Sequence, residues 1–509
     1  MKLNKLFLMG AMGLGLFACS DELNVENGQN GGNAQEGTTY AAITLKFGEG
    51  STARNIPGDY DDADANQGVN TKETAVKTLR IVVVSGTTVE VNKFYKTGYT
   101  EGDASADGAV INAKEGKYLI SMTPGAKTFY AIVNEDAAFA KTETTKAKLD
   151  EYLANPVAKT TSVITADDKG FMMTSVEPVN VDISPNVTAG EAPAQNAVNV
   201  EVDRVVAKIT VKKAATITSP LNNVTLGKVE VAIGNADLNA TVIPTSNTTD
   251  KAGFYRMQKS LSSDYTTPYY SFAPTKNEAH TAPVDDDFVN ITTGTAPNDY
   301  VTPFYCLENI HAEGNYMQKN TTYAAIRAEI FCTKVVNFTV ANAGDETNPN
   351  YTLTWNNDVT NTPGSNVVSF RYLYGPEELR GRYVLESYLE TNVETWLKTL
   401  GVTDESMPTT MDEKLTTLFE KFKAINTDFS ISEKYDGHGY YEVWPNLVKG
   451  TGVSPIYRNN WYELTITKLT LPGKPAIEIE DKPIEYPTNA EVTVKVRDWR
   501  KVQHNVDLQ

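Results

Sequence analysis

Apolar and polar residues alternate with a period of two along most of this chain, and that period predicts strands. Tyr40–Phe47 opens the series: Ala41, Ile43, Leu45 and Phe47 alternate with Ala42, Thr44 and Lys46. Strand-like runs return at Thr78–Val84, Tyr118–Met122, Thr128–Val133, Phe171–Thr174 and Val198–Lys212. They continue at Val224–Ile233, Tyr269–Phe272, Thr302–Leu307, Thr322–Ile330, Val335–Val340 and Trp461–Leu469. Two further alternating runs, Ala490–Val496 and Val502–Leu508, close the chain. Helical spacing is confined to three places. Glu135–Asn155 is rich in alanine, with Leu149 and Leu153 on one side. Pro376–Leu400 opens with Pro376-Glu377-Glu378, favourable first-turn residues. Asp412–Ile425 carries Leu415, Leu418, Phe419 and Phe422 on one stripe. The expectation is a mainly β chain of two tandem β-sandwich domains, with helical insertions mostly in the second. The first domain is expected over 55–217 and the second over 218–489, with 490–509 as a separate C-terminal strand.

The N-terminus breaks the pattern. Lys2 and Lys5 precede an apolar run from Leu6 to Ala18, too short to span a bilayer and shaped like the core of an export signal. The run ends Leu16-Phe17-Ala18-Cys19, which fits a lipobox apart from the bulky Phe17. Residues 1–18 are therefore expected to be a lipoprotein signal peptide, with Cys19 acylated. Each buried CH₂ contributes roughly 0.8 kcal/mol, so several acyl chains hold firmly to the outer membrane. Ser20-Asp21-Glu22 resembles the acidic surface-export signal of Bacteroidetes lipoproteins. Asp21–Thr38, rich in Asn, Gly, Gln and Glu, is expected to be a flexible tether, and Gly48–Asn70 a long exposed loop.

Composition narrows the function. A net charge of −18 and a pI near 4.8 argue against a nucleic-acid partner, which calls for basic faces. Beyond Cys19 only Cys306 and Cys332 remain, and both a disulfide and two buried thiols fit their spacing. The histidines, His280, His311, His438 and His504, lie in no metal-ligand spacing. Neither a G-x-S-x-G elbow nor a Walker A loop occurs. Asp62, Asp64, Asn66 and Glu73 are arranged somewhat like a calcium loop, but Gly68 falls one position late, and a solvated, cleavable loop is the better reading. No enzyme activity, metal or cofactor is expected.

Several segments in order resemble the Mfa-type and FimA-like fimbrillins that build type V pili in Bacteroidales. They are Met1-Lys2-Leu3-Asn4-Lys5, Thr128–Asn134, Val202-Asp203-Arg204-Val205-Val206-Ala207-Lys208, Asn320-Thr321-Thr322-Tyr323, Arg458-Asn459-Asn460-Trp461-Tyr462 and the terminal Val494–Leu508. The resemblance implies transthyretin-like sandwiches and a shaft subunit of a surface fimbria that supports adhesion and biofilm. It implies export as a lipoprotein precursor, followed by cleavage by an arginine-specific protease and loss of the lipidated propeptide, 19–54, with its first strand. The open groove is then filled by the C-terminal segment of the next subunit. Implied partners are identical subunits, accessory, tip and anchor fimbrial proteins, and host or bacterial surface ligands.

The sequence carries the parts this scheme requires. Arg54, followed by Asn55, is the first arginine of the chain and lies in the exposed loop, where proteolysis concentrates. Ile43, Leu45 and Phe47 mark the strand to be displaced. In the candidate donor, Val492, Val494 and Val496 share one face, and Val502, Val506 and Leu508 continue the same parity. Trp499 falls on the other parity, which predicts a bend near Asp498. Ala490–Val496 as an edge strand of its own domain is the competing expectation. Competing functions are a tip or accessory adhesin and a monomeric glycan-binding surface lipoprotein.

Overall fold

A computed structural model describes residues 38–47, 75–111, 117–135, 139–154, 156–158, 170–218, 223–235, 239–242, 270–271, 288–291, 303–311, 316–362, 366–447, 452, 454–480, 482–484 and 490–498. The N-terminal lobe carries β1 (Thr39–Phe47), β2 (Thr78–Ser85), β3 (Thr88–Lys96), β4 (Gly108–Ala109), β5 (Lys117–Met122), β6 (Gly125–Val133), β7 (Pro156–Ala158), β8 (Met173–Ser175), β9 (Val179–Ile183) and β10 (Ala197–Arg204). Helices α1 (Lys146–Ala154) and α2 (Ala192–Gln195) belong to it. Its main sheet has nine strands, running β4-β3-β2-β6-β8-β10-β1-β5 with β9 beside β6. The sheet curls until its two ends meet: the rings of Tyr95 on β3 and Tyr118 on β5 lie 4.7 Å apart. One continuous sheet thus encloses a sandwich-like core of Ile81, Val83, Phe129, Ala131, Val198 and Val200 among others.

The C-terminal lobe continues with β11 (Val206–Thr218), β12 (Val224–Gly234), β13 (Asn239–Thr241), β14 (Tyr270–Ser271), β15 (Val289–Asn290), β16 (Phe304–Leu307), β17 (Tyr323–Cys332), β18 (Lys334–Asn342), β19 (Tyr351–Thr360), β20 (Phe370–Leu373), β21 (Arg382–Leu385), β22 (Ile431–Tyr435), β23 (His438–Val443), β24 (Asn460–Leu469) and β25 (Ala490–Asp498). Its helices are α3 (Glu386–Thr399) and α4 (Met411–Ile425). The sheet β16-β11-β24-β25 faces the sheet β14-β12-β17-β23 across a core of Ile209, Val231, Ile326, Tyr462 and Leu464. Strands β17 and β23 are antiparallel neighbours, and everything between them, β18 to β22 with α3 and α4, is an insertion with a core of its own. The chain is therefore mainly β, built from several sheets, with its longest helices in the second lobe.

Three sequence expectations need correction. Val198–Lys212 reads as one strand but breaks at Val205, where β10 ends in the first lobe and β11 begins in the second. The Val205 amide donates to the Met172 carbonyl between the two strands. Glu135–Asn155 is helical only from Lys146, because Thr145 is first bridged to Thr88 at the start of β3. The helix expected from Pro376 starts at Glu386. A single turn at Pro376–Arg380 stops at Gly381, whose φ of +77° a helix does not accommodate, and Tyr383 and Val384 then join a strand. No disulfide joins Cys306 and Cys332, which are buried in separate cores.

Candidate assembly site

The first strand is held on every side. β1 lies between β10, to which it runs parallel, and β5, to which it runs antiparallel. Ala41, Ile43 and Leu45 point into the N-terminal core and are at most 2% exposed. The opposite face carries Ala42, closed over by Leu119, Val187 and Ala192. This cover is fastened to the strand by hydrogen bonds. The Thr39 hydroxyl donates to the Ser184 carbonyl at 2.7 Å and accepts from the Val187 amide at 3.1 Å. The Asn196 side chain donates to the Tyr40 carbonyl at 2.9 Å, and the Ala42 amide donates to the Asn196 carbonyl at 3.0 Å. Burying Ile43 and Leu45 contributes roughly 1.5–3 kcal/mol each. Without β1, two rows of backbone groups and an apolar slot would face water, an arrangement that soluble sheets avoid.

The structure places Ile43, Leu45 and Phe47 in this strand, with Phe47 in register with Val202 of β10. Of the C-terminal residues singled out from sequence, Val492, Val494 and Val496 lie in β25, in register with Ile466, Leu464 and Tyr462 of β24. Among the described residues β25 ends its sheet, with a ladder to β24 on one side only. Ala490 is buried in the C-terminal core and Val492 packs at its margin. Cys19, Arg54, Asn55, Val502, Val506 and Leu508 lie outside the described residues, as does the loop from Asp62 to Glu73. Among the described residues no group of three or more His, Cys, Asp or Glu side chains could hold a metal ion. No helix among them is long and apolar enough to cross a membrane.

Sequence reasoning missed the joint that keeps β1 and β25 on one body. The outer face of β2 and β6, through Val82, Val84, Tyr130 and Ile132, packs on Tyr305, Leu307 and Trp461 of the second lobe. A short ladder between β7 and β13 also crosses between the lobes. Where the chain passes over, Asn459 stands in the left-handed region at φ 58°, a conformation asparagine tolerates. Its side chain donates to Asp203 at 2.8 Å and accepts from the Arg204 guanidinium at 3.1 Å. Arg458 makes a buried, two-pronged ion pair with Glu308. The buried Lys208 ammonium sits 4.4 Å from the ring centre of Trp461, whose indole donates to Thr210 at 2.8 Å. Two segments that carried the family resemblance, 202–208 and 458–462, thus meet at this joint.

Comparison with known proteins bears on this arrangement. Residues 433–505, which include β24 and β25, match the family model for the C-terminal part of the type IV major fimbrial subunit protein, fimbrillin. Over 362 residues the chain is 26% identical to the minor fimbrium subunit Mfa1 of Porphyromonas gingivalis, covering 65% of this chain and 68% of that protein. These matches support an Mfa/FimA-like fimbrillin. Among solved structures it is similar to a fimbrilin of Porphyromonas gingivalis, at 15% identity and a TM-score of 0.43, covering 91% of this chain and 99% of that one. It is also similar to the tip fimbrial protein Mfa3 of that organism, solved with a C-terminal truncation, at 12% identity and a TM-score of 0.38, covering 91% and 100%. The match to the fimbrillin model falls on the C-terminal strands, where the candidate donor segment begins.

Proposed function

We propose that this fimbrillin is a shaft subunit of a cell-surface fimbria, made as a self-capped lipoprotein precursor and polymerised by donor-strand exchange. Its relatives are structural fimbrial subunits, and the chain serves as a fimbrial subunit that assembles with other fimbrial proteins. The precursor reaches the surface on the lipid at Cys19. Cleavage after Arg54 by an arginine-specific protease releases β1 with its propeptide, and the C-terminal segment of the next subunit fills the slot.

The observation that carries this reading is the position of β1. It comes from the extreme N-terminal part of the described chain, yet it is an interior strand with a ladder on each side. A strand so placed keeps the sheet complete, and its loss leaves two templating edges facing one another, the geometry that strand addition satisfies. Among the described residues β25 is one-sided in its own sheet, and it would gain a second ladder on moving to such a slot.

The test is processing. Surface polymer made by the natural chain is expected to begin at Asn55, and an Arg54→Ala chain is expected to stay lipid-anchored and monomeric. Polymer of normal length from Arg54→Ala, with its original N-terminus intact, would rule the activation step out.

A further inference from the structure

The strand that leaves and the strand that arrives share a sequence. Aligned without a gap, Thr39-Tyr40-Ala41-Ala42-Ile43-Thr44-Leu45-Lys46-Phe47 and Thr488-Asn489-Ala490-Glu491-Val492-Thr493-Val494-Lys495-Val496 are identical at Thr39/Thr488, Ala41/Ala490, Thr44/Thr493 and Lys46/Lys495. Ile43, Leu45 and Phe47 are each replaced by valine. Resting on the donor-strand reading above, we propose that the second segment of one subunit enters the slot of the next in this one register and in the direction of β1.

Each match has a physical reason on the acceptor side. Ala41 faces the core beside Ile120, and Ala490 keeps that position small. The three valines present the same apolar face that Ile43 and Leu45 bury. Thr488 supplies the hydroxyl that Thr39 uses to hold Ser184 and Val187. Lys46 is in register with Glu201 on β10, and Lys495 restores an opposite charge there. The final alternating run fits worse. With Val506 at the place of Leu45, Asp507 replaces Lys46 and sets a like charge against Glu201.

One mismatch has a use. Glu491 takes the place of Ala42, beneath Leu119, Val187 and Ala192, where a carboxylate is costly. At home Glu491 is in register with Lys468 of β24. This residue therefore favours the docked position of β25 over the slot, and the exchange is driven by the second ladder that β5 and β10 provide.

Cysteine pairing in assembled fimbriae tests the register. Thr44 is directly opposite Lys117 of β5, so a full-length chain carrying Thr493→Cys and Lys117→Cys is expected to link neighbouring subunits. Directly opposed positions suit a disulfide, whereas positions two residues away stand about 7–8 Å off and do not. The expected result is a ladder that survives boiling and collapses on reduction, with Glu491→Cys or Lys495→Cys paired with Lys117→Cys giving monomers only. A ladder from either of those pairs would overturn the register. A ladder from Asn505→Cys with Lys117→Cys would assign the slot to the final run instead, again overturning the proposal. Intact fimbriae with no ladder from any pair would refute the C-terminal donor reading itself.

Discussion

At the scale of single residues, the chain's charged and polar anchors act where they are dry. Arg458 and Glu308 are both at most 3% exposed, and removing one partner of such a pair typically costs about 3–5 kcal/mol because the other charge is stranded. The resemblance named Arg204, Lys208, Arg458 and Asn459, but nothing local in the sequence assigns them to a joint. Arg204 and Asn459 are 255 positions apart, and only the parallel pairing of β11 with β24 brings them together. His311 makes a pH prediction. Its imidazole donates to the Asn320 carbonyl at 2.9 Å, and burial lowers its pKa below the ordinary 6.5. The unfolded chain therefore takes up the proton first as pH falls, and stability is lost below about pH 6.5. The melting temperature is expected to be lower at about pH 5.5 than at about pH 7.5, with a smaller difference in His311→Gln. An equal pH difference in both chains would show that His311 is not the source.

At the scale of elements, strands were far more legible than helices. Alternation located β1, β2, β5, β6, β12 and β24 closely, because each buries one face on a core and shows the other to a partner or to solvent. α4 was legible for the same kind of reason: its stripe is real, and Thr410 and Glu413 form a capping box at its start. The failures came where tertiary pairing overrode local preference, as at Thr145 and Tyr383, or where an apolar run served two sheets, as at Val205. The likeness between β1 and Thr488–Val496, most of which lies in β25, was present in the sequence throughout. It acquired meaning only once β1 proved to be an interior strand. β1 also yields a paired prediction. Leu45→Ala is expected to destabilise the uncleaved precursor by about 2–5 kcal/mol, as large-to-small changes in a packed core do. Fimbriae assembled from the same chain are expected to match the natural ones in resistance to heat and detergent, since the altered strand has left. Denaturant unfolding of the precursor and heat dissociation of the fimbriae check the two halves, and weakened fimbriae would show that β1 stays in place.

At the scale of the whole molecule, the two lobes share a core, and this is what lets one end of the chain report on the other. The proposed slot is in the N-terminal lobe and the proposed donor in the C-terminal lobe. Packing of Val82, Val84 and Ile132 against Leu307 and Trp461 fixes the distance between them within each subunit. Under the proposed exchange, each subunit would give a strand forward and receive one behind, a heterologous contact that builds a filament where its rotation does not close. The insertion between β17 and β23 keeps its own core and takes no part in either the slot or the donor. The central claim is that the strand between β10 and β5 changes owner on assembly. Electron cryo-microscopy of intact fimbriae tests it most directly. The account predicts density for the C-terminal segment of the neighbouring subunit in that position, with no trace of Thr39–Phe47. Density for Thr39–Phe47, continuous with its own subunit, would contradict it.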